Sequence, residues 1–276
     1  MAGEINEADA TGEIAEIFAE LRTLWGVPYV SAIHRTLAAR PGFLEWAWNA
    51  VAPAFRDGRG QEAAWRCAAG LAVPPLDPIP AAALRVWGLD GEALDAARTA
   101  AEGFVRVAPI NMVFAGLVKQ LLEGAAPSGS GARRDAWNAP PPLPAPPDMV
   151  DLARLDPAAR AATMWLASEM GGKPFVPGLY RMLAHWPGLM AHLATALPPR
   201  LASAPVTSAF DELRRRVDAA VPAILASLPP VSSKHAPPSE AERAEFFSIG
   251  QTYRRTSPEL VVVGQLLADA LPQRID

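Results

Sequence analysis

Residues 27–46 read VPYVSAIHRTLAARPGFLEW, and residues 173–192 read KPFVPGLYRMLAHWPGLMAH. Laid over one another at an offset of 146 with no gap, they share seven identities in twenty positions. These are Pro28/Pro174, Val30/Val176, Arg35/Arg181, Leu37/Leu183, Ala38/Ala184, Pro41/Pro187 and Gly42/Gly188. Tyr29/Phe175, Ile33/Leu179, Phe43/Leu189 and Leu44/Met190 are conservative pairs. Ordinary composition gives about one or two identities by chance. A second match follows at an offset of 149, where FVRVAPINMVFAGL (104–117) lies on YRRTSPELVVVGQL (253–266). The chain therefore reads as a tandem duplication of a unit of about 125–145 residues, a period too long for a solenoid. Two related halves are expected, over 1–124 and 149–276, facing each other across a central cavity.

Residues 125–148 fall between the halves and read as a linker. Its first part is small and flexible, and 140–147 holds six prolines in eight residues. Such a segment is an extended polyproline strap that carries the chain from one half to the other.

Apolar periodicity makes the halves helical. Ile14, Ile17, Phe18, Leu21 and Leu24 repeat at helical spacing, with Thr11 as cap and Glu13 in the first turn. Asp156-Pro157 is a cap-then-proline start, and Ser239 with Glu242 spells a capping box. Ser257-Pro258-Glu259 repeats the cap, proline and acid order. Pro41-Gly42 and Pro187-Gly188 break helices at matching places. No stretch alternates long enough to suggest a sheet. The expected class is all-α.

Composition excludes several functions. Of 276 residues, half are hydrophobic and a fifth charged, which is globular composition. Lysine and arginine total 25 against 29 acids, so no basic surface for nucleic acid is expected. The acidic start is unlike a signal peptide, and no apolar run in the sequence approaches a membrane span, so a cytoplasmic protein is expected. One cysteine, Cys67, excludes a disulfide framework.

Candidate chemistry is sparse. His34, His185, His192 and His235 show no ligand spacing, so no metal site is expected. No glycine-rich phosphate loop is present, and no cofactor is expected. Ser31 and His34 stand three apart, without an acid to orient the ring. Cys67 reads as a buried apolar thiol. One constellation remains. Pro28-Tyr29-Val30 and Pro174-Phe175-Val176 each begin a helix, and Ala108-Pro109 and Ser257-Pro258 each begin another. Four helix N-termini around one cavity would suit a small carboxylate.

At this point a family becomes recognisable. GEIAEIFAELRTLWGVPYVSAIHRTLAARPGFLEWAW (12–48), Leu89-Asp90-Gly91-Glu92, Ala184-His185-Trp186-Pro187 and Tyr253-Arg254-Arg255, in this order and spacing, resemble the group I 2-haloacid dehalogenases. The resemblance implies an all-helical pseudo-dimer of two related halves with the active site between them, and two chains associated as a homodimer. It implies a chemistry in which an aspartate of the second half activates a water that attacks the halogen-bearing carbon directly, without a covalent ester. An asparagine of the first half holds that water, and aromatic side chains wall the pocket.

Carried over by position, the base falls on Leu179 and the asparagine on Ala108. Asn111 and Glu259 are the nearest polar alternatives, and neither stands at the family's place. Tyr29 and Tyr253 match the pocket aromatics. Tyr29, Ala32, Ala108, Asn111, Gly178, Leu179 and Tyr253 are the expected pocket residues. Leucine accepts no proton, so the family's hydrolytic dehalogenation of 2-halocarboxylic acids is not expected to run by this route, and no halide release from 2-chloropropionate is expected. The alternatives are a non-catalytic binder of a small organic acid or apolar ligand, or an enzyme of different chemistry with Glu259, His34 or a tyrosine as base. The expected partner is a small organic acid or apolar ligand, with neither nucleic acid nor membrane.

Overall fold

The structure, a computed structural model, describes residues 3–129, 137–170, 172–230 and 234–274. Residues 130–136 of the linker expected over 125–148 lie outside them. The all-α expectation holds: the described residues form eleven α-helices, two 3-10 turns and one two-stranded hairpin. The chain divides into two compact units, each gathered from three stretches: 1–69, 109–143 and 214–254 in the first; 70–108, 144–213 and 255–276 in the second.

The first unit holds α1 (Gly12–Trp25), α2 (Ala32–Ala38), α3 (Phe43–Arg56) and α4 (Arg59–Ala68). It also takes the later part of α6 (Gly91–Leu122), the later part of α10 (Ala204–Ala226) and the front of α11 (Glu240–Ala270). Ile17, Phe18 and Leu21 of the expected stripe are buried in α1 together with Trp25, while Ile14 and Leu24 stay partly exposed. Thr11 takes the cap position of α1 without a side-chain hydrogen bond. α3 is buried almost all round, as a central core helix must be. A carboxylate fixes the approach to α2: Glu7 Oε1 accepts the Val30 N–H at 2.7 Å, and Oε2 accepts from Arg22 at 2.8 Å. The strap lies against this unit, where the Leu143 N–H donates to the Gly26 carbonyl at 3.0 Å and the Trp137 ring meets Trp65. Ser239 and Glu242 form the expected capping box at the start of α11, with the Ser239 N–H and O–H both donating to Glu242 Oε2. Nearby the buried Arg40 guanidinium pairs with Glu245.

The second unit holds α5 (Ala81–Val86), the front of α6, α7 (Pro157–Trp165), β1 (Ser168–Met170), β2 (Lys173–Phe175), α8 (Gly178–Leu183) and α9 (Pro187–Leu201), the front of α10 and the tail of α11. Asp156 caps α7 as expected, accepting from the Ala158 and Ala159 N–H groups at 2.9 and 3.0 Å. Pro187 opens α9 at its first turn, where its missing N–H costs nothing.

One backbone bond recurs where each matched segment forms its helix. The Ile5 N–H donates to the Arg35 carbonyl in the first unit, and the Val150 N–H to the Arg181 carbonyl in the second, both at 3.2 Å. The paired glycines differ in what requires them. Gly42 adopts a φ of 79°, which disfavours any side chain. Gly188 has no such backbone, but a Cβ there would lie 2.2 Å from the Trp87 ring.

Three expectations are corrected. Ala108-Pro109 and Ser257-Pro258 begin no helix; both prolines lie inside the continuous helices α6 and α11. A proline in a helix leaves the carbonyl four residues earlier without its donor. For Pro258 that carbonyl belongs to Arg254, and Arg214 Nε donates to it at 3.1 Å. Second, residues 173–175 are not part of a helix start but pair with 168–170 in an antiparallel hairpin. Gly172 turns there with a φ of 75°, and the Gly171-Gly172 dipeptide was the signal in the sequence. Third, α6 is long and apolar enough to cross a membrane by length and composition, although most of its apolar stretch is buried in the fold.

Candidate functional site

In the second unit, α8 carries Leu179, where the base was expected by resemblance. Pro177 stands at its N-cap and fixes the extended approach from β2. Gly178 opens the helix, and a Cβ there would meet Met149 at 3.0 Å and Phe104 at 3.1 Å. Phe104 and Ala108 stand one turn apart on α6, so Gly178 packs against the same α6 stripe that bears Ala108. Leu179 is fully buried. The six residues of α8, GLYRML, contain no carboxylate.

The next residue brings one in. Tyr180 is fully buried, and its hydroxyl donates to Glu259 Oε1 at 2.6 Å. Glu259 stands on α11 just after Pro258. Burial pushes the Glu259 carboxyl above its ordinary range, while the Tyr180 hydroxyl and the Arg255 guanidinium pull it back. Burial also holds the Tyr180 phenol protonated far above its usual range, and the facing Glu259 adds to this. The hydroxyl therefore serves as a fixed donor. Glu259 Oε2 has no hydrogen-bond partner among the described residues. Arg255, one turn earlier on α11, donates to the Glu169 carbonyl of β1.

The first unit holds the other expected residues. Ala32 is the first residue of α2, and Thr36 one turn later bonds the Tyr253 hydroxyl. Burial pushes that hydroxyl well above its ordinary range, with the charge of Glu4 adding to the effect. The Tyr29 hydroxyl is buried, and Asn111 Oδ1 is buried with no hydrogen-bond partner among the described residues. His34 is fully enclosed, its ring centroid 4.6 Å from that of Trp25 and 4.4 Å from that of Phe114. Burial pushes the His34 pKa down to about 3, against a weaker opposing pull from the Ser31 backbone. A histidine this hard to protonate is a poor general base at neutral pH.

Structure therefore gathers Gly178 with the Ala108 stripe in one unit, and Ala32 with Tyr253 in the other. The anion site built from four helix N-termini is withdrawn. Two of those termini lie inside α6 and α11, and the other two open helices of seven and six residues. The remaining histidines have ordinary work: His185 Nε2 meets the Asp148 carbonyl at 2.8 Å, His192 stacks near Trp87, and His235 meets Glu13. Cys67 is buried in α4, and burial pushes its thiol up. The pairing of Tyr180 with Glu259 escaped the sequence reading. Glu259 stands out in the sequence, but joining it to Tyr180 needs α8 and α11 to be neighbours, which no local pattern states.

No protein-family profile matches the chain. No curated protein matches it in sequence. Solved structures do match its fold. One is a complex of D-2-haloacid dehalogenase with L-LA, at a TM-score of 0.76 and 21% identity, covering 99% of this chain and 97% of that one. A mutant of D-2-haloacid dehalogenase with D-2-CPA matches at 0.74 and 20%, covering 99% and 96%. A further mutant structure matches at 0.76 and 19%, over the same shares of the two chains. Likeness over nearly the whole length at such identities is likeness of fold: the chain has the all-helical fold of the D-2-haloacid dehalogenases.

Proposed function

We propose that this chain is a 2-haloacid dehalogenase-like protein that holds a small organic acid and does not dehalogenate it by the family's route. The names of the structural neighbours support the ligand class, 2-substituted carboxylic acids. One observation carries the second half of the reading: Leu179, at the position of the family's base, is fully buried in a helix without a carboxylate. Loss of a positioned general base forfeits about 10²–10⁴-fold in rate. Ala108 in place of the water-holding asparagine removes a second partner. The tandem duplication belongs to the same reading, supported by the repeated segments and by the matched bonds at the Arg35 and Arg181 carbonyls.

The test is halide release from 2-chloropropionate and 2-bromopropionate, measured with an ion-selective electrode beside a thermal-shift titration of the same acids. The expected result is a raised melting temperature with no halide above the buffer rate. Turnover like that of the active family overturns the reading.

A further inference from the structure

The half-buried carboxyl of Glu259 has one oxygen committed and one not. Tyr180 donates to Oε1, so Oε1 must remain an acceptor. A proton taken up by Glu259 therefore sits on Oε2, which has no partner among the described residues. A carboxylic acid in that state is a donor aimed away from Tyr180, and its natural complement is an acceptor oxygen. Arg255 stands one turn away on α11, and its guanidinium acts on the same carboxyl. Positive charge beside a protonated acid suits a monocarboxylate. The groups facing Glu259 are few: Tyr180 from α8 and Arg255 from α11 itself are the ones that act on it.

We propose that Glu259, oriented by Tyr180, is a proton-linked subsite for the carboxylate of a small monocarboxylic acid. The anion binds as Glu259 takes up one proton from solvent onto Oε2, and the new O–H donates to a carboxylate oxygen of the ligand. The ligand and Glu259 then share one negative charge in place of two, which burial of the pair requires. Binding and protonation are reciprocal, so acid strengthens binding and binding draws in a proton. This inference rests on the reading that the chain holds a small organic acid.

Isothermal calorimetry with 2-chloropropionate tests it, over about pH 5 to 8 and in two buffers of different ionisation enthalpy. Across this range the ligand stays ionised. The wild-type protein is expected to bind more tightly as pH falls, approaching tenfold per pH unit above the carboxyl's own pKa, with net proton uptake. Glu259→Gln keeps an acceptor for Tyr180 and presents an N–H where the acid presents O–H. It is expected to bind with no pH dependence and no proton uptake, and more tightly than wild type at the alkaline end. Tyr180→Phe removes a bond that favours the ionised carboxylate and is expected to move the onset of the proton-linked tightening to higher pH. Binding by wild type at constant affinity without proton uptake overturns this inference and leaves the proposed function standing. So does a Glu259→Gln protein that keeps the wild-type pH dependence. No binding at any pH overturns the proposed function, and this inference with it.

Discussion

His34 of α2 and Tyr180 of α8 occupy the same place in the repeated segments, yet meet opposite surroundings. Both residues are fully buried. His34 is walled by the rings of Trp25 and Phe114, with no side-chain hydrogen-bond partner among the described residues. Tyr180 donates to a carboxylate at 2.6 Å. The second match, at an offset of 149, lays Glu259 on Ile110 and Val263 on Phe114. Where one half offers an aromatic wall and a buried isoleucine, the other offers a small apolar residue and an acid. Two matching stretches of sequence therefore carry two chemistries, set by which side chain the long helix presents. One site encloses an imidazole among rings; the other ties a phenol hydroxyl to a carboxyl.

The contrast can be broken most severely at Leu179. Leu179→Asp places a lone carboxylate in a fully buried site and is expected to cost about 3 kcal/mol or more, read by urea denaturation. A variant as stable as wild type would show an unseen partner or water at that position. Tyr180→Phe removes a charge-assisted hydrogen bond and is expected to cost about 1–3 kcal/mol. In a double-mutant cycle with Glu259→Leu most of that loss should vanish; full additivity would mean the two groups do not act as a pair.

Acid sharpens the comparison because the two sites carry opposite signs. His34 is harder to protonate folded, at about 3, than its ordinary 6.5. Its contribution to stability is intact above that ordinary value and falls with pH below it, by up to about 1.4 kcal/mol per pH unit. Glu259 is raised when folded, so its contribution is intact below its ordinary 4.5 and is lost as pH rises through the folded value. Chemical denaturation across acid pH should therefore show His34→Phe less acid-sensitive than wild type and Glu259→Gln more so. Identical pH profiles for the three proteins would remove the contrast. At neutral pH His34→Phe is expected to be neutral or to stabilise by about 1 kcal/mol, since it deletes buried polar atoms without emptying the site.

The smallest effects separate the paired glycines. Gly42→Ala strains a positive φ and is expected to cost about 1 kcal/mol whatever surrounds it. Gly188→Ala meets the Trp87 ring, so Trp87→Ala should relieve it and leave Gly42→Ala untouched. Equal relief of both would show that the repeat keeps its glycines for one reason.

Much of this was legible in the sequence because it is local. The stripe of α1, the Asp156 cap and the Ser239–Glu242 box depend on residues three or four apart, and all appear where expected. Pro109 and Pro258 misled, because a proline starts a helix or sits inside one according to what serves the freed carbonyl. For Pro258 that is Arg214, forty residues before Arg254. The hairpin was missed because three-residue strands have no measurable alternation. The Tyr180–Glu259 pair spans 79 residues and becomes visible only once α8 and α11 are packed.

The two units are woven from alternating stretches of chain, and α6, α10 and α11 each contribute to both. Neither half of the sequence, 1–124 or 149–276, contains a whole unit. Synthesised separately, each fragment carries only part of each unit, whereas the two mixed together supply both units except 125–148, of which 125–143 belongs to the first and 144–148 to the second. Fragment complementation is the outcome this weaving dictates: each half insoluble or unfolded alone, the pair recovering helicity on mixing. Residues 137–143 pack on the first unit through Trp137 and the Leu143 N–H, so extending the first fragment through this stretch should improve the recovery.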